Sequence, residues 1–159
     1  MEKSYRCIFH TDEESGDIDI EIAGEGQEVH FEMAIDFFSV PVLFFQLARL
    51  WTGKSVEYEM HGFGMAIDYS FRREGERLLI RKDKRSNKGQ FITSYDFNME
   101  QFAYALDGGM KELMEKKRAL GEFPLPAADS PHLLETNNVE KYEEFSALIH
   151  STRKGKKHD

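Results

Sequence analysis

Residues 17–22 read Asp17-Ile18-Asp19-Ile20-Glu21-Ile22, three isoleucines alternating with three carboxylates. Strict period-2 alternation marks a strand with one buried and one solvated face, because successive side chains of a strand point to opposite sides. The same pattern continues outward. Before it, Tyr5, Cys7 and Phe9 alternate with mixed neighbours. After a turn at Gly24-Glu25-Gly26, Val29, Phe31, Met33 and Ile35 alternate with His30, Glu32, Ala34 and Asp36. Three strands with one apolar and one polar face each describe an antiparallel sheet covered on one side.

Beyond Asp36 the period changes. Ser39 stands where it can cap a helix with Pro41 in its first turn, and Val42 to Trp51 leave only Gln46 and Arg49 polar. A helix apolar nearly all round is expected to be buried, and Gly53 supplies its stop. Alternation resumes at Val56, Tyr58 and Met60. A turn at His61-Gly62-Phe63-Gly64 then leads to Met65, Ile67, Tyr69 and Phe71. Glu74-Gly75 turns the chain toward Leu78 and Ile80, and the polar run Lys82 to Gly89 reads as a longer hairpin loop before Phe91, Thr93, Tyr95 and Phe97. Asn98 with Gln101 forms a capping box for a helix to about Leu120, whose Gly108-Gly109 pair either admits a close neighbour or kinks it. Asn137 and Glu140 cap a last helix bearing Tyr142, Phe145, Leu148 and Ile149.

The expected fold is therefore α+β. It is a twisted antiparallel meander in the order βββ-α-ββββ-α, with two helices on one face and a C-terminal helical extension. Residues 1–121 form the sheet domain, 122–137 a Pro-containing linker, 138–152 the last helix and 153–159 a disordered basic tail.

The 159 residues suit one domain able to bury roughly 70% of its unfolded surface. The single Cys7 excludes an internal disulfide and fits a reducing compartment. The most apolar stretch, Phe37 to Trp51, is too short and too interrupted to span a membrane, and the first residues lack an apolar signal core, so a cytoplasmic location is expected. The net charge of −8 is unevenly placed. Residues 1–40 carry eleven acidic and two basic side chains, whereas residues 81–88 and 151–159 are basic. Long-range repulsion sets such a body against nucleic acid and favours a basic protein partner.

No phosphate loop, nucleophile elbow or zinc-protease motif is present, so no cofactor and no catalytic residue is expected. Cys7, on the apolar face of its strand, reads as an inert core thiol. His10 with Asp12, and His30 with Glu32, each put two potential ligands on one strand face. A metal site needs three or four convergent ligands, and none is assigned. Lys88 to Tyr95 begins like an RNA-reading strand but lacks aromatics at positions 90 and 92, which leaves a solvated basic hairpin. The candidate site is the outward set Asp17, Asp19, Glu21, Glu32, Asp36, Glu57, Glu59 and Asp68, an acidic face on the uncovered side of the sheet. Arg72, Arg77 and Arg81 on the later strands are placed to offset part of it by cross-strand pairing.

The stretch Asp17 to Ile22, the helix Phe44-Phe45-Gln46-Leu47-Ala48-Arg49-Leu50, residues Gly62 to Phe71 and the junction Tyr95 to Phe102 together resemble the WapI-type immunity proteins. These are small bacterial proteins encoded beside polymorphic toxins. The resemblance covers roughly residues 4–120 and carries over no toxin-contacting residue. It implies a non-enzymatic protein that neutralises a toxin by direct binding. A scaffold or regulatory protein acting through the stripe Tyr142, Phe145 and Leu148 is one alternative. A small-ligand protein or enzyme with a pocket between helices and sheet is another.

Overall fold

The computed structural model describes residues 4–12, 14–61, 66–124 and 132–156. Ten elements follow one another: β1 (Arg6–Thr11), β2 (Ile18–Gly24), β3 (Gln27–Met33), α1 (Asp36–Thr52), β4 (Glu57–His61), β5 (Ile67–Glu74), β6 (Arg77–Ser86), β7 (Gly89–Asn98), α2 (Met99–Ala119) and α3 (Thr136–Lys156). The order βββ-α-ββββ-α with a C-terminal helix is the expected α+β arrangement. The meander is carried by two antiparallel sheets, β1-β2-β3 and β4-β5-β6-β7, in which every strand pairs with its sequence neighbour. The helix α1 separates them.

Each isoleucine of the opening stretch is buried: Ile18, Ile20 and Ile22 meet Met33, Phe31 and Val29 across the β2–β3 pairing. Phe31 is the centre of the core. Its ring lies 5.1 Å from Tyr69, 5.7 Å from Phe71 and 6.3 Å from Phe102, which ties both sheets and α2 together. Full burial of such side chains contributes about 1.5–3 kcal/mol each. Asn98 caps α2 as the sequence indicates, its Oδ1 accepting from the Gln101 N–H at 2.9 Å. At Gly109 a Cβ would lie 2.6 Å from Cys7 Sγ, so the glycine admits β1, whereas Gly108 faces open space.

Several boundaries differ from the expectations. β3 ends at Met33, and Ile35 takes a left-handed conformation (φ 55°), so α1 begins at Asp36 and not after Ser39. The Ile35 carbonyl accepts from the Phe38 and Ser39 amides, both at 2.9 Å, and the Asp36 carboxylate sits where the helix dipole favours it. Ser39 is thereby buried inside the helix, its hydroxyl without a hydrogen-bond partner among the described residues. Pro41, further in than expected, removes the donor that the Phe37 carbonyl would use, and Asn138 Nδ2 of α3 donates to that carbonyl at 2.9 Å. α1 is not buried all round either: Phe44 packs on Tyr142 and Phe145 of α3, while Phe38 and Phe45 are exposed. Gly53 ends α1 in a left-handed conformation, as read. The run Lys82 to Gly89 is mostly strand, with only Asn87 and Lys88 between β6 and β7. α3 starts at Thr136, with the Asn138 and Val139 amides on the Glu135 carbonyl, so Asn137 lies within the first turn and is no cap. The helix runs to Lys156, past the expected 152, so the tail read as disordered from 153 begins as helix. Residues 157–159, the turn at 62–64 with Met65, and residues 125–131 of the linker lie outside the described residues. Among the described residues no helix is long and apolar enough to cross a membrane.

Candidate binding face

The eight carboxylates read as one acidic face do not share one. Asp17 precedes β2 and Asp36 opens α1, where burial raises its pKa. Asp19, Glu21 and Glu32 lie on the first sheet, Glu57, Glu59 and Asp68 on the second. Four of the eight are also paired. Asp19 Oδ1 is 3.0 Å from His30 Nδ1, and Glu21 Oε2 is 3.3 Å from Arg6 Nη2. Lys82 Nζ meets Glu32 Oε2 at 2.7 Å, and Arg85 Nη2 meets Asp68 Oδ2 at 2.7 Å. Burial pushes the Glu32 carboxyl up, but the hydrogen bond and charge of Lys82, with Lys84 and His30 nearby, make the net shift downward. Of the arginines expected to offset this acidity by cross-strand pairing, Arg77 does bind across strands, but to Glu25 and Asp96, which are not among the eight; among the described residues Arg72 reaches Glu74 of its own strand, at 3.8 Å.

The histidines join this lattice. His10 Nε2 approaches Glu21 at 3.4 Å and His30 Nε2 approaches Glu28 at 3.0 Å, so neither makes the ligand pair read from the sequence. Burial alone would lower the His30 pKa; the hydrogen bonds of Glu28 and Asp19 raise it overall. Donor atoms of Glu21, Glu28 and His30 lie within 4.8 Å of one another. Arg6 Nη2 already stands 3.3 Å from Glu21 and 3.4 Å from Glu28, which supplies the positive charge an ion would bring. Cys7 is buried, and burial, with Glu112 and Glu21 adding to it, drives its thiol pKa far up, the opposite of an activated nucleophile.

A second network fastens the first sheet to the end of β7. Glu25 sits in the β2–β3 turn with φ 50° and accepts from the Tyr5 hydroxyl, from Arg77 Nη2 at 3.1 Å and from the Asn98 amide at 3.0 Å. Burial, reinforced by Glu25, pushes Tyr5 up to about 12. Gln27 bridges to the backbone of Asp96 in both directions, donating at 2.6 Å and accepting at 2.9 Å.

What stays open is the outer face of β4–β7. It is a groove of about 740 Å³ whose floor follows from the strand register. Glu57 opposes Arg72, Arg72 opposes Leu79, and Leu79 opposes Asp96. One row along, Glu59 opposes Ser70, Ser70 opposes Arg81, and Arg81 opposes Ser94. Among the described residues Glu57, Glu59 and Arg81 have no ion-pair partner, although all three are exposed. Two of the eight candidate carboxylates, Glu57 and Glu59, thus line this groove, and Asp68 lies on the same face one row beyond, paired to Arg85. The remaining lining was missed because alternation told which way Ser70, Arg72 and Arg81 point, and the meander which strands adjoin, but not the register that sets these side chains opposite one another.

No protein-family model matches the chain, and no curated protein matches it. Among solved structures it is similar to the crystal structures of trypanosoma bruciei MRP1/MRP2, at 8% identity over 73% of this chain and 87% of that one, with a TM-score of 0.43. It is also similar to a guide-RNA-binding protein complex bound to a gRNA, at 10% identity over 76% of this chain and 94% of that one, with a TM-score of 0.40. Likeness at this level carries no argument about what the chain binds.

Proposed function

We propose that the chain is a non-enzymatic protein-binding domain whose partner seats on the outer face of β4–β7. Its most concrete form is an immunity protein of the WapI type that neutralises a basic bacterial toxin by direct binding. One observation carries the reading: this face is a charged groove, and its Glu57, Glu59 and Arg81 have no ion-pair partner among the described residues, whereas the carboxylates Asp19, Glu21 and Glu32 of the first sheet are already paired. Unpaired charges on a preformed surface keep their full interaction free energy for a partner. The net charge of −8 adds long-range steering toward a basic protein.

The test begins with the genes beside this one. A neighbouring secreted protein with a toxic C-terminal domain is expected, and co-expression of this chain should restore growth to cells making that domain. Toxicity that persists in cells co-expressing the chain sinks the immunity reading, and so does the absence of such a neighbour. The face is tested separately. Replacing Glu57 and Glu59 together by Lys should slow association with the toxin domain about tenfold at low salt, and Asp19→Asn should leave it unchanged. Surface plasmon resonance at two ionic strengths reads both.

A further inference from the structure

The groove has a charge order that neither the net charge nor the acidic-face reading contains. Crossing the sheet from β4 to β7, the side chains run acidic, cationic with hydroxyls, acidic: Glu57 and Glu59 on β4, Arg72 and Arg81 with Ser70 and Ser94 around them, and Asp96 on β7. Ser70 and Ser94 are the direct cross-strand neighbours of Arg81, one on each side. Arg72 is its diagonal neighbour, about 7–8 Å away between Cα atoms, close enough for two long side chains to reach one anion. Asp96 already accepts from Arg77 Nε at 2.7 Å through Oδ1, the one oxygen of its carboxylate so engaged among the described residues.

The spacing selects the ligand. Neighbouring strands lie about 4.8 Å apart, so the acidic stripe on β4 and Asp96 on β7 are separated by about 14 Å, with the midpoint of the two arginine strands about 7 Å from each. An extended peptide places residues i, i+2 and i+4 on one side at intervals of about 6.8 Å. The two periods coincide. We propose that the groove binds an extended segment of a partner protein with the pattern basic-x-acidic-x-basic, crossing the strands. Its central carboxylate sits on Arg72 and Arg81 with the Ser70 and Ser94 hydroxyls, and its flanking Lys or Arg residues meet Glu57/Glu59 and Asp96. A groove of about 740 Å³ is of the size that accommodates such a segment. A nucleic-acid strand fits less well, since its evenly spaced phosphates would meet a carboxylate stripe on both sides of the arginines. This assignment rests on the outer face being the binding surface.

The experiment is selection of a random twelve-residue peptide library on the full chain, followed by affinity measurement of the enriched peptides as synthetic ligands. The enriched peptides should share the basic-x-acidic-x-basic pattern. Their affinity should fall at least tenfold with Arg72→Ser plus Arg81→Ser, with Glu57→Gln plus Glu59→Gln, and with Ser94→Trp, which fills the groove. Arg81→Glu should recover binding to a peptide whose central acid is replaced by Lys. All these positions face solvent, and circular dichroism melts confirm that each variant folds. Peptides lost on Ser94→Trp but lacking the pattern, or indifferent to the two arginines, keep the face and overturn the charge assignment. Peptides indifferent to Ser94→Trp, or no enrichment, overturn both. A single-stranded oligonucleotide that binds through Arg72 and Arg81 overturns the assignment in favour of a polyanion.

Discussion

Gly109 lies so close to β1 that its place in α2 is fixed by the neighbour and not by helix propensity. Alanine is favoured over glycine within a helix by about 1 kcal/mol. Here its Cβ would meet Cys7 Sγ at 2.6 Å and the Cys7 carbonyl oxygen at 3.1 Å. Gly109→Ala should therefore destabilise by about 1–3 kcal/mol in urea unfolding, and Cys7→Ala in the same chain should recover part of that, since only the sulfur contact disappears. The Gly108-Gly109 pair was visible in the sequence, but which of the two is spatially constrained depends on a strand a hundred residues earlier. Asp107, next to this pair, shows the same limit. It is 4% exposed, accepts from the Tyr142 hydroxyl at 2.7 Å and lies 3.0 Å from His150 Nε2. Burial alone would raise its pKa; the hydrogen bonds of Tyr142, Ser146 and His150, with Lys111 nearby, hold it below the ordinary 3.8. A depressed carboxylate contributes stability above its unfolded value and loses it as pH falls through the folded one. Asp107→Asn should be less stable at neutral pH and should show a flatter loss of stability as the pH falls below about 5. An acid limb identical to that of the unaltered protein would show that this carboxylate is not the group being titrated.

At the scale of elements, the alternating apolar residues placed the strands well, because a one-sided sheet writes its burial directly into the sequence. Helix ends were less legible. α1 begins three residues before Ser39 because Ile35 reverses the chain in a left-handed turn, a conformation that a β-branched residue rarely adopts and that composition does not announce. Its consequence is Pro41 deep in the helix, and the remedy comes from α3. Asn138 Nδ2 donates to the Phe37 carbonyl at 2.9 Å and to the His132 carbonyl at 3.0 Å. Asn138→Ala should cost about 1–3 kcal/mol by leaving buried acceptors unsatisfied. Pro41→Ala restores an amide donor for Phe37, so a double-mutant cycle between the two positions should give a coupling of about 0.5–1 kcal/mol. Additive effects would mean that Asn138 acts only through the His132 loop.

At the scale of the molecule, the two sheets meet through few polar contacts of long sequence separation. The buried Tyr69 hydroxyl accepts from the Glu32 amide at 2.8 Å, and Lys82 Nζ reaches the His30 carbonyl at 2.8 Å as well as the Glu32 carboxylate. Tyr69→Phe should destabilise by about 1–3 kcal/mol, since the Glu32 N–H is left without its partner, and Glu32 amide hydrogen exchange should accelerate in that variant. These contacts also explain why the acidity was misplaced when read from the sequence. Glu32 looked unopposed on its own strand, but its counter-charge is fifty residues away on β6, and Arg6 and Arg85 likewise arrive from other strands. The outward direction of each side chain follows from period 2; the identity of its neighbour needs the register.

The pairing of every strand with its sequence neighbour has a kinetic consequence. Loop closure within each hairpin is short, so both sheets assemble from local contacts, the situation that favours fast folding. The joints at Gln27 with Asp96, Tyr69 with Glu32 and Asn138 with Phe37 span 69, 37 and 101 residues and require those units to exist beforehand. They belong on the native side of the folding barrier, where their loss accelerates unfolding and leaves the folding rate nearly untouched. The lifetime of the assembled molecule is then governed by a handful of side chains outside both sheets' own hydrogen-bond ladders.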